Sequence, residues 1–389
     1  MTSRRRLAVV RAAGGGPHIR AVAYFGTYEP DYPRNAVLIA GLREHGVEVH
    51  EFHAALPSLT AAEMAGARGA ARIAAGVVEA HLRLLAQHRG RLDVDAVVLG
   101  YPGHFLVPFG RLLAAFRGAR LVFDPLVSLV DTFAGDRGLL RAGGAKAAAV
   151  RAVDEVAFRL PDLVLADTWA HAAYYQGAFG LGRERLAVAP VGALPEPQAD
   201  GAARTRAPDE PLAVLQYGKW SPLHGAEVVL GAAELLRDEP FRFVLIGEGQ
   251  LSAELRVRMH GAALTTVEWV GALPQAALRE RTLAADVCLG VFGRSEKAGR
   301  VVPNKVFDAL ACGRPVVTAD SDGAREWLRH GENALLTPAG DPAALAAALR
   351  RLLDTGERAR LGEAALALYR RAFTPAAVAG DLLAALEAS

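Results

Sequence analysis

Short runs of apolar residues alternate with longer helical patterns along most of the chain. In the first half, the short runs predict strands and the longer patterns predict the helices between them. The candidate strands are Ile19–Phe25, Val47–Phe52, Ala96–Tyr101, Arg120–Phe123, Leu163–Ala166 and Leu186–Ala189. The candidate helices are Arg34–Glu44, Ala61–Gln87, Phe105–Phe116, Leu139–Phe158 and Trp169–Phe179. Strands that alternate with helices predict parallel pairing in an open, doubly wound sheet.

The alternation stops between Gly192 and Pro211, where Gly, Pro, Asp and Arg replace large apolar residues, as is typical of a linker. It resumes with the candidate strands Leu212–Tyr217, Arg242–Ile246, Val267–Val270, Val287–Val291, Pro315–Thr318 and Ala334–Leu336. The helices predicted here are Ala226–Leu236, Leu251–Met259, Pro274–Ala284, Pro303–Ala311, Gly323–Leu328, Pro342–Leu353, Arg358–Tyr369 and Ala376–Leu386. We therefore divide the chain into an N-terminal domain (1–192), a linker (193–211), a C-terminal domain (212–372) and a last helix (373–389). Ligands of open α/β sheets bind at the carboxyl ends of the strands.

The composition fits an α/β protein and disfavours several functional classes. Of the 389 residues, 52% are hydrophobic and only 7% aromatic, which suits helices packed on parallel strands. The 44 basic and 42 acidic residues nearly balance, so nucleic acid is not an expected partner. Cys288 and Cys312 lie in apolar runs and lack the spacing and companions of a metal site.

The sequence gives little sign of a membrane segment. The apolar run near the N-terminus ends at Arg11, too early for an export signal, and no stretch approaches about eighteen uncharged apolar residues. We therefore expect a cytoplasmic protein. The predicted helix at 139–159 carries Arg141, Lys146, Arg151 and Arg159, so it is a candidate for peripheral contact with an anionic membrane. A solvated helix face is the simpler interpretation, because acidic residues interrupt it.

The segment 300–318 carries the strongest chemical signal in the sequence. It predicts a loop, a helix opened by Pro303, and a buried strand. The first turn of such a helix offers unpaired N–H groups, and Lys305 adds a full charge there. Asp308 lies one turn further on, so both side chains can face one cleft. A cation for phosphate beside a carboxylate for ribose hydroxyls indicates a nucleoside diphosphate; the alternative is an ordinary crossover helix with surface charges.

Two further strand ends of the second half carry candidate phosphate-binding loops. After the first strand, Gly218 permits a sharp turn, and Lys219 and His224 flank a loop that leads into a helix. Such a loop can hold a diphosphate between a lysine, a histidine and a helix N-terminus. The alternative is a solvated lysine and a histidine that caps the helix. After the next strand, Gly247 and Gly249 allow a close backbone approach to a ligand, although Gly-x-Gly alone is a weak signal.

A third strand ends in Val-Gly-Ala-Leu-Pro at residues 270–274. Backbone groups of this turn are free to face a planar base, which makes Val270 and Leu273 candidate base contacts. A plain β-to-α turn is equally consistent with these residues. Other nucleotide and hydrolase motifs are missing: the sequence has no Gly-x-Gly-x-x-Gly after its first strand, no Gly-x4-Gly-Lys-Ser/Thr and no Gly-x-Ser-x-Gly.

The order of these signals resembles the family-4 glycosyltransferases, which are retaining enzymes of GT-B architecture. The pieces that carry the resemblance are Gly-Lys-Trp-x3-His-Gly (218–225), Leu-Ile-Gly-Glu-Gly (245–249), Trp-Val-Gly-Ala-Leu-Pro (269–274), Asp-Val-Cys-Leu-Gly (286–290), Pro-Asn-Lys-Val-Phe-Asp-Ala-Leu-Ala-Cys-Gly-Arg-Pro-Val-Val (303–317) and Glu-Trp-Leu-x2-Gly-Glu-Asn-Ala-Leu-Leu (326–336). The resemblance covers about 212–353, and the first half shares only the rhythm of strands and helices. It implies two Rossmann-like, doubly wound domains across a cleft, a nucleotide sugar in the second domain, and a last helix that crosses back to the first. It implies neither a cofactor nor a metal.

The resemblance assigns roles to individual residues. Lys219 stands where the family has the basic residue of its Gly-Arg/Lys motif, and His224 stands where it has a second lysine. One of the two expected diphosphate cations is therefore weaker and pH-dependent, and Lys305 is placed to compensate. Asp308 aligns with the second Glu of the family's Glu-x7-Glu motif, which is expected on the ribose hydroxyls. Asn304, next to Pro303, belongs to the same helix start.

The first Glu of that motif, expected on the donor hexose, falls on Arg300. Because a guanidinium has no acceptor, Arg300 does not serve a sugar hydroxyl as a carboxylate does. Three partners are open for it: a donor phosphate, Glu296, or a carboxylate on an unusual donor. The sequence therefore indicates a divergent branch of the family.

The first domain offers fewer candidates. His104 follows a strand, which makes it a catalytic candidate that can meet the donor sugar or the acceptor in the cleft. Asp124 and Asp131 place two carboxylates near the same edge, and Tyr28 follows the first strand. We assign these three to the acceptor. A loop or cap role is the alternative for each.

Together these observations predict a hexosyltransferase that moves a hexose or amino sugar from a nucleoside diphosphate to a hydroxyl with retention. The acceptor would be a small molecule, a lipid-linked saccharide or a cell-surface glycan precursor, with peripheral contact at the inner membrane face if it is lipid-linked. Lys219 and Lys305 would stabilise the departing diphosphate electrostatically. The alternatives are a GT-B epimerase or phosphorylase, and a degenerate subunit that only binds nucleotide sugar, which Arg300 favours. The oligomeric state is left open.

Overall fold

The computed structural model describes residues 19–55, 67–87, 93–141, 143–202, 204, 207 and 209–388, which form two α/β domains. The strands of the N-terminal domain are β1 Ala21–Gly26, β2 Glu48–His53, β3 Ala96–Leu99, β4 Arg120–Phe123, β5 Leu163–Ala166 and β6 Leu186–Val188. Its helices are α1 Pro33–Glu44, α2 Ala67–Gln87, α3 Val107–Arg117, α4 Ala145–Arg159 and α5 Trp169–Phe179. Short 3-10 turns lie at His104–Leu106 and Arg183–Arg185, and one turn of π-helix lies at Asp131–Asp136.

The strands of the C-terminal domain are β7 Leu212–Tyr217, β8 Phe241–Ile246, β9 Val267–Val270, β10 Val287–Leu289, β11 Val316–Ala319 and β12 Leu335–Thr337. The helices that follow them are α6 Ala226–Leu235, α7 Ser252–Gly261, α8 Gln275–Ala284, α9 Glu296–Arg300, α10 Asn304–Ala311, α11 Asp322–Trp327, α12 Pro342–Arg351, α13 Thr355–Ala372 and α14 Pro375–Ala388. A 3-10 turn at Pro222–His224 precedes α6.

All strand pairs within the two sheets are parallel. The first sheet has the order β2-β1-β3-β4-β5-β6, and the second has the order β12-β11-β10-β7-β8-β9. In the second sheet the chain reverses its direction of travel between β7 and β10. The carboxyl ends of those two strands diverge into separate loops and leave a crevice, the usual ligand position in doubly wound sheets.

Alternation along the strands explains why each sheet is covered on both faces. In β1, Ala21, Ala23 and Phe25 pack into one apolar cluster, while Val22 and Tyr24 pack into another on the opposite face. Successive side chains of a strand point to opposite faces, so a strand that is apolar throughout requires helices on both sides. The predicted α/β class with two doubly wound parallel sheets is confirmed.

Some predicted helices have different bounds. The helix predicted from Leu139 begins instead at Ala145, because Gly143 takes a φ of +74° and Gly144 is extended. The five-residue helix α9 was not predicted; the Ser295 side chain caps it by accepting a hydrogen bond from the backbone N–H of Ala298. Residues 61–66 of the helix predicted at Ala61–Gln87 lie outside the described part of the chain.

The last helix, α14, packs against α1 of the N-terminal domain. Val378, Leu382 and Leu386 lie in the same apolar cluster as Val37 and Leu38 of α1. Gly41 of α1 permits the close approach, since a Cβ there would lie 1.9 Å from the carbonyl oxygen of Pro375. The end of the chain therefore ties the second domain to the first.

Candidate active site

Two glycines, Gly218 and Gly247, line the crevice at the end of β7, and neither position has room for a side chain. Gly247, after β8, has a φ of +133°, and a Cβ there would lie 2.0 Å from the carbonyl oxygen of Gly218. Gly218, after β7, has a φ of +154°, and a Cβ there would lie 2.4 Å from His224 Nε2 and 3.1 Å from Lys305 Nζ. The predicted residues Gly218, His224 and Lys305 therefore meet at one point.

Lys305 is buried there without a partner. Its side chain is 5% exposed, and its Nζ donates no hydrogen bond to any atom of the described residues. Burial alone lowers the pKa of Lys305 to about 7. A buried ammonium without an anion is costly, so this side chain indicates a place for a negatively charged ligand.

His224 is held beside Lys305 in its neutral form. Burial lowers the pKa of His224 well below its ordinary value, and the charges of Lys305, Arg137 and Lys297 lower it further. Its Nδ1 lies 3.1 Å from Ser221 Oγ, which fixes the ring and leaves Nε2 directed at Gly218. The expectation of a weak second cation thus becomes more specific: His224 acts as a neutral hydrogen-bonding group.

Asp308 lies on the same helix as Lys305, one turn further on, and is also buried. Its Oδ2 accepts a hydrogen bond of 2.5 Å from the Tyr217 hydroxyl and a longer one of 3.4 Å from Gln275 Nε2. Burial raises the pKa of Asp308, whereas the Tyr217 hydrogen bond opposes that shift. Tyr217 is the last residue of β7, so it orients the carboxylate at the crevice.

The other predicted donor residues surround this centre. Gly249 packs against the backbone of Trp220, and Val270 accepts a hydrogen bond from Gly247 N through its carbonyl oxygen. Leu273 is partly buried against the apolar cluster that contains Tyr217. Pro303 is the N-cap of α10, and Asn304 is the first residue of that helix. Lys219 lies in the loop after Gly218 and is exposed.

Arg300 does not face the crevice as a free cation. Its Nη2 forms an ion pair of 2.7 Å with Asp131 Oδ1 of the N-terminal domain, and its Nη1 lies 3.2 Å from Glu296 Oε2. The guanidinium also stacks over the Tyr174 ring at 4.2 Å. Of the three partners left open by the sequence, Glu296 is present, but the shorter contact is with Asp131. A predicted donor residue and a predicted acceptor residue thus pair with each other across the cleft.

The remaining N-terminal candidates are engaged in contacts within their own domain. Both oxygens of Asp124 accept hydrogen bonds from Arg34, at 2.7 and 3.1 Å, and the pair is fully buried. The Tyr28 hydroxyl donates to Glu51 Oε2 at 2.9 Å. His104 Nε2 lies 2.9 Å from the Val127 carbonyl oxygen and burial lowers the pKa of this histidine.

The structure therefore does not bring Asp124, Tyr28 or His104 to Lys305. Arg34 also donates to the carbonyl oxygens of Ala189 and Pro190, so the Asp124 pair fixes α1 against β4 and the end of β6. The catalytic role of His104 and the acceptor roles of Asp124 and Tyr28 stay predictions from the sequence.

Polar contacts join the two domains beside the crevice. The backbone N–H groups of Trp169 and Ala170, at the start of α5, donate to the Glu326 carboxylate of the C-terminal domain, each at 2.8 Å. Lys297 Nζ donates to Thr132 Oγ1 at 2.7 Å, and burial lowers the pKa of Lys297 to about 8. These contacts connect the two domains at the edge of the crevice.

Sequence reasoning missed several residues of this site. The sequence places Tyr217 at the end of a strand, but it does not show the contact with Asp308, which lies 91 positions further along the chain. Gln275 carries no motif, and Lys297 lies in a helix of one turn. The only available signal was position, since Tyr217 and Gln275 both flank strand-end loops that the sequence had already singled out.

The described residues contain neither a metal-binding cluster nor a helix that could cross a membrane. Within 19–388, apart from the undescribed gaps, no group of three or more His, Cys, Asp or Glu side chains is arranged to hold a metal ion. In the same part of the chain, every helix is too short or too polar to cross a membrane. Cys288 and Cys312 are buried and unpaired.

The match to a known protein family falls in the second domain. Residues 212–355 match the family model described as Glycosyl transferases group 1. A D-inositol 3-phosphate glycosyltransferase of Acidothermus cellulolyticus is 35% identical over 223 residues, which cover 53% of this chain and 49% of that protein. The amylovoran biosynthesis glycosyltransferase AmsK of Erwinia amylovora is 29% identical over 179 residues, covering 45% and 44%. The chain thus spans about half the length of these relatives.

Solved structures match the chain over nearly its whole length. HepE of Anabaena, in complex with UDP and glucose, has a TM-score of 0.64 at 18% identity and covers 96% of this chain and 100% of its own. Sucrose-phosphate synthase of Thermosynechococcus elongatus has a TM-score of 0.70 at 18% identity and covers 95% and 99%. The chain therefore has the two-domain GT-B fold, and its second domain matches the group 1 glycosyltransferases.

Proposed function

We propose that this protein is a glycosyltransferase that moves a hexose or amino sugar from a nucleoside diphosphate to a hydroxyl acceptor, with retention of configuration. The observation that carries the proposal is the meeting of Lys305, His224 and Gly218 at the end of β7. Lys305 is buried there without a hydrogen-bonding partner among the described residues, beside a backbone turn at Gly218 that leaves no room for a side chain.

The three groups fit the diphosphate of a donor. With the Ser221 hydroxyl donating to His224 Nδ1, the imidazole proton lies on Nε2, which donates to a phosphate oxygen. Lys305 adds a charge-assisted hydrogen bond and regains its proton when the phosphate arrives. The start of α10 supplies a partial positive charge from the same side.

Asp308 fits the ribose of the same nucleotide. A carboxylate whose one oxygen is held by Tyr217 has further lone pairs for the two ribose hydroxyls. Lys305 and Asp308 are three residues apart on α10, so one helical face spans the distance from phosphate to ribose. Val270 and Leu273, beyond Asp308, are then the base contacts.

Catalysis on this site is electrostatic. As the bond between the sugar and the diphosphate breaks, negative charge grows on the leaving oxygen, and Lys305, His224 and Lys219 stabilise it. The acceptor hydroxyl attacks from the same face, and the departing phosphate takes its proton. The proposed mechanism uses no nucleophile from the protein and no metal ion.

The comparisons support the choice of donor for a first assay. The similar HepE structure contains UDP and glucose, and the relatives are named for glycosyl transfer. UDP-sugars therefore come first in a panel that also contains GDP-, ADP- and dTDP-sugars. The acceptor classes are small polyols, lipid-linked saccharides and glycan precursors, and a lipid-linked acceptor would place the protein at the inner face of the membrane.

The test combines nucleotide binding with product formation. The purified protein should be stabilised by one class of nucleoside diphosphate and should release it from the matching nucleotide sugar. Asp308→Ala should weaken binding by about 1–3 kcal/mol, the cost of lost polar contacts, whereas the exposed Asp238→Ala is the matched control. A protein that binds no nucleotide of the panel, or binds equally well after Asp308→Ala, would contradict the proposed site. Slow hydrolysis of the donor by the purified protein would indicate an enzyme and would count against a subunit that only binds nucleotide sugar.

A further inference from the structure

We propose that Arg137, from the N-terminal domain, binds the donor diphosphate together with Lys305. This inference rests on the proposed function, because it assigns one more residue to the same site. No motif of the sequence indicates Arg137. Its position follows from how the segment 131–137 contacts the second domain.

Two contacts hold the end of that segment over the crevice. Asp136 Oδ1 accepts a hydrogen bond of 3.0 Å from Ser295 Oγ, in the loop after β10. The carbonyl oxygen of Arg137 accepts one of 2.8 Å from Gln250 Nε2, in the loop after β8. In the sheet, β7 lies between β10 and β8. Arg137 is therefore fixed above the end of β7, where Gly218 and His224 lie.

The guanidinium of Arg137 has no hydrogen-bonding partner among the described residues. In the described part of the chain, no hydrogen bond or ion pair is made by its side chain. Its charge nevertheless acts on His224, whose pKa it lowers together with Lys305. Cationic groups that act on the same side chain repel each other, so an anion bound between them would stabilise the arrangement.

The two buried groups of the second domain that lie at this point carry little positive charge. At pH 7 Lys305 is about half protonated, since its pKa is about 7, and His224 is neutral. An arginine keeps its charge at any physiological pH and presents a planar fork to two phosphate oxygens. Arg137 thus supplies the permanent charge. Because it comes from the first domain, it also makes donor binding depend on the contact between the two domains.

The experiment compares nucleoside diphosphate with the parent nucleoside by calorimetry. The diphosphate should bind Arg137→Gln about tenfold to a hundredfold more weakly than wild type, as expected for a lost charged hydrogen bond. Nucleoside affinity should not change, and Arg137→Lys should lie between wild type and Arg137→Gln. Arg141→Gln, an exposed arginine four positions further on, should bind like wild type.

The outcomes separate this inference from the function it rests on. If Arg137→Gln binds the diphosphate as tightly as wild type does, Arg137 is not a phosphate ligand and the proposed function stands. An equal loss of nucleoside and nucleoside diphosphate affinity would also overturn the inference. The nucleoside has no phosphate, so the loss of a phosphate contact cannot weaken its binding. If wild type binds no nucleoside diphosphate, both proposals fall.

Discussion

Replacing Lys305 by methionine should make the protein more stable and less able to bind its donor. Methionine keeps the unbranched stem of the lysine and removes an ammonium that no described residue satisfies. The pKa of this lysine falls from 10.5 in the unfolded chain to about 7 in the folded protein, because of burial. The folded state therefore holds the side chain at a cost that methionine avoids.

The magnitude follows from proton linkage. Between pH 7 and 10.5 the folded wild type binds fewer protons than the unfolded chain, so its stability rises with pH. A difference of one bound proton changes the free energy of unfolding by about 1.4 kcal/mol per pH unit. This lysine therefore raises the free energy of unfolding by roughly 2 kcal/mol between pH 7 and pH 9. Lys305→Met lacks that contribution. Its advantage over wild type should be on the order of 2–4 kcal/mol at pH 7 and about 2 kcal/mol smaller at pH 9.

The assay is urea unfolding of both proteins at pH 7 and pH 9, with nucleoside diphosphate binding measured on the same samples. Donor affinity should fall about tenfold or more, since a charge-assisted hydrogen bond is lost. Lys219→Met, an exposed lysine, should leave stability unchanged at both pH values. A difference between Lys305→Met and wild type that does not vary with pH, or an unaltered diphosphate affinity, would refute the reasoning.

Three other changes test the contacts around the site. Arg34→Met leaves Asp124 buried without its partner and should cost about 3–5 kcal/mol in urea unfolding, with partial recovery when Asp124→Leu is added. Glu326→Ala removes the acceptor for two N–H groups at the start of α5; it should cost about 1–2 kcal/mol and speed hydrogen exchange there, and equal exchange would argue against the contact. Tyr217→Phe removes the donor to Asp308, so the pKa of that carboxyl should rise. As the pH is lowered, the variant should therefore begin to lose nucleoside diphosphate affinity at a higher pH than wild type. An unshifted pH profile of binding would count against the hydrogen bond.

The part of the site that could be predicted from sequence is the part made by neighbours in the chain. Lys305 and Asp308 are three residues apart on a helix that starts at a strand end, so their common direction follows from helical geometry. Gly218 and His224 lie in one short loop after β7, so they are also close because they are near each other in the chain. The parallel sheet follows from alternation of strands and helices, and it places these loops at one edge.

The part that could not be predicted depends on distant contacts. The sequence leaves three partners open for Arg300, and only the packing of the two domains shows that its shorter ion pair is with Asp131, 169 positions away. Asp124 reads as a free carboxylate at a strand end, whereas Arg34, 90 positions earlier, occupies both of its oxygens. No local pattern encodes such pairs, because they form when elements far apart in the chain are brought together.

A crystal structure with the nucleoside diphosphate that binds most tightly tests the central claim most directly. We expect the diphosphate at the end of β7, with Lys305 Nζ and His224 Nε2 within about 2.7–3.2 Å of its oxygens, and the ribose hydroxyls hydrogen-bonded to Asp308. A nucleotide bound elsewhere, or one at this edge with its phosphates directed away from Lys305, would contradict it.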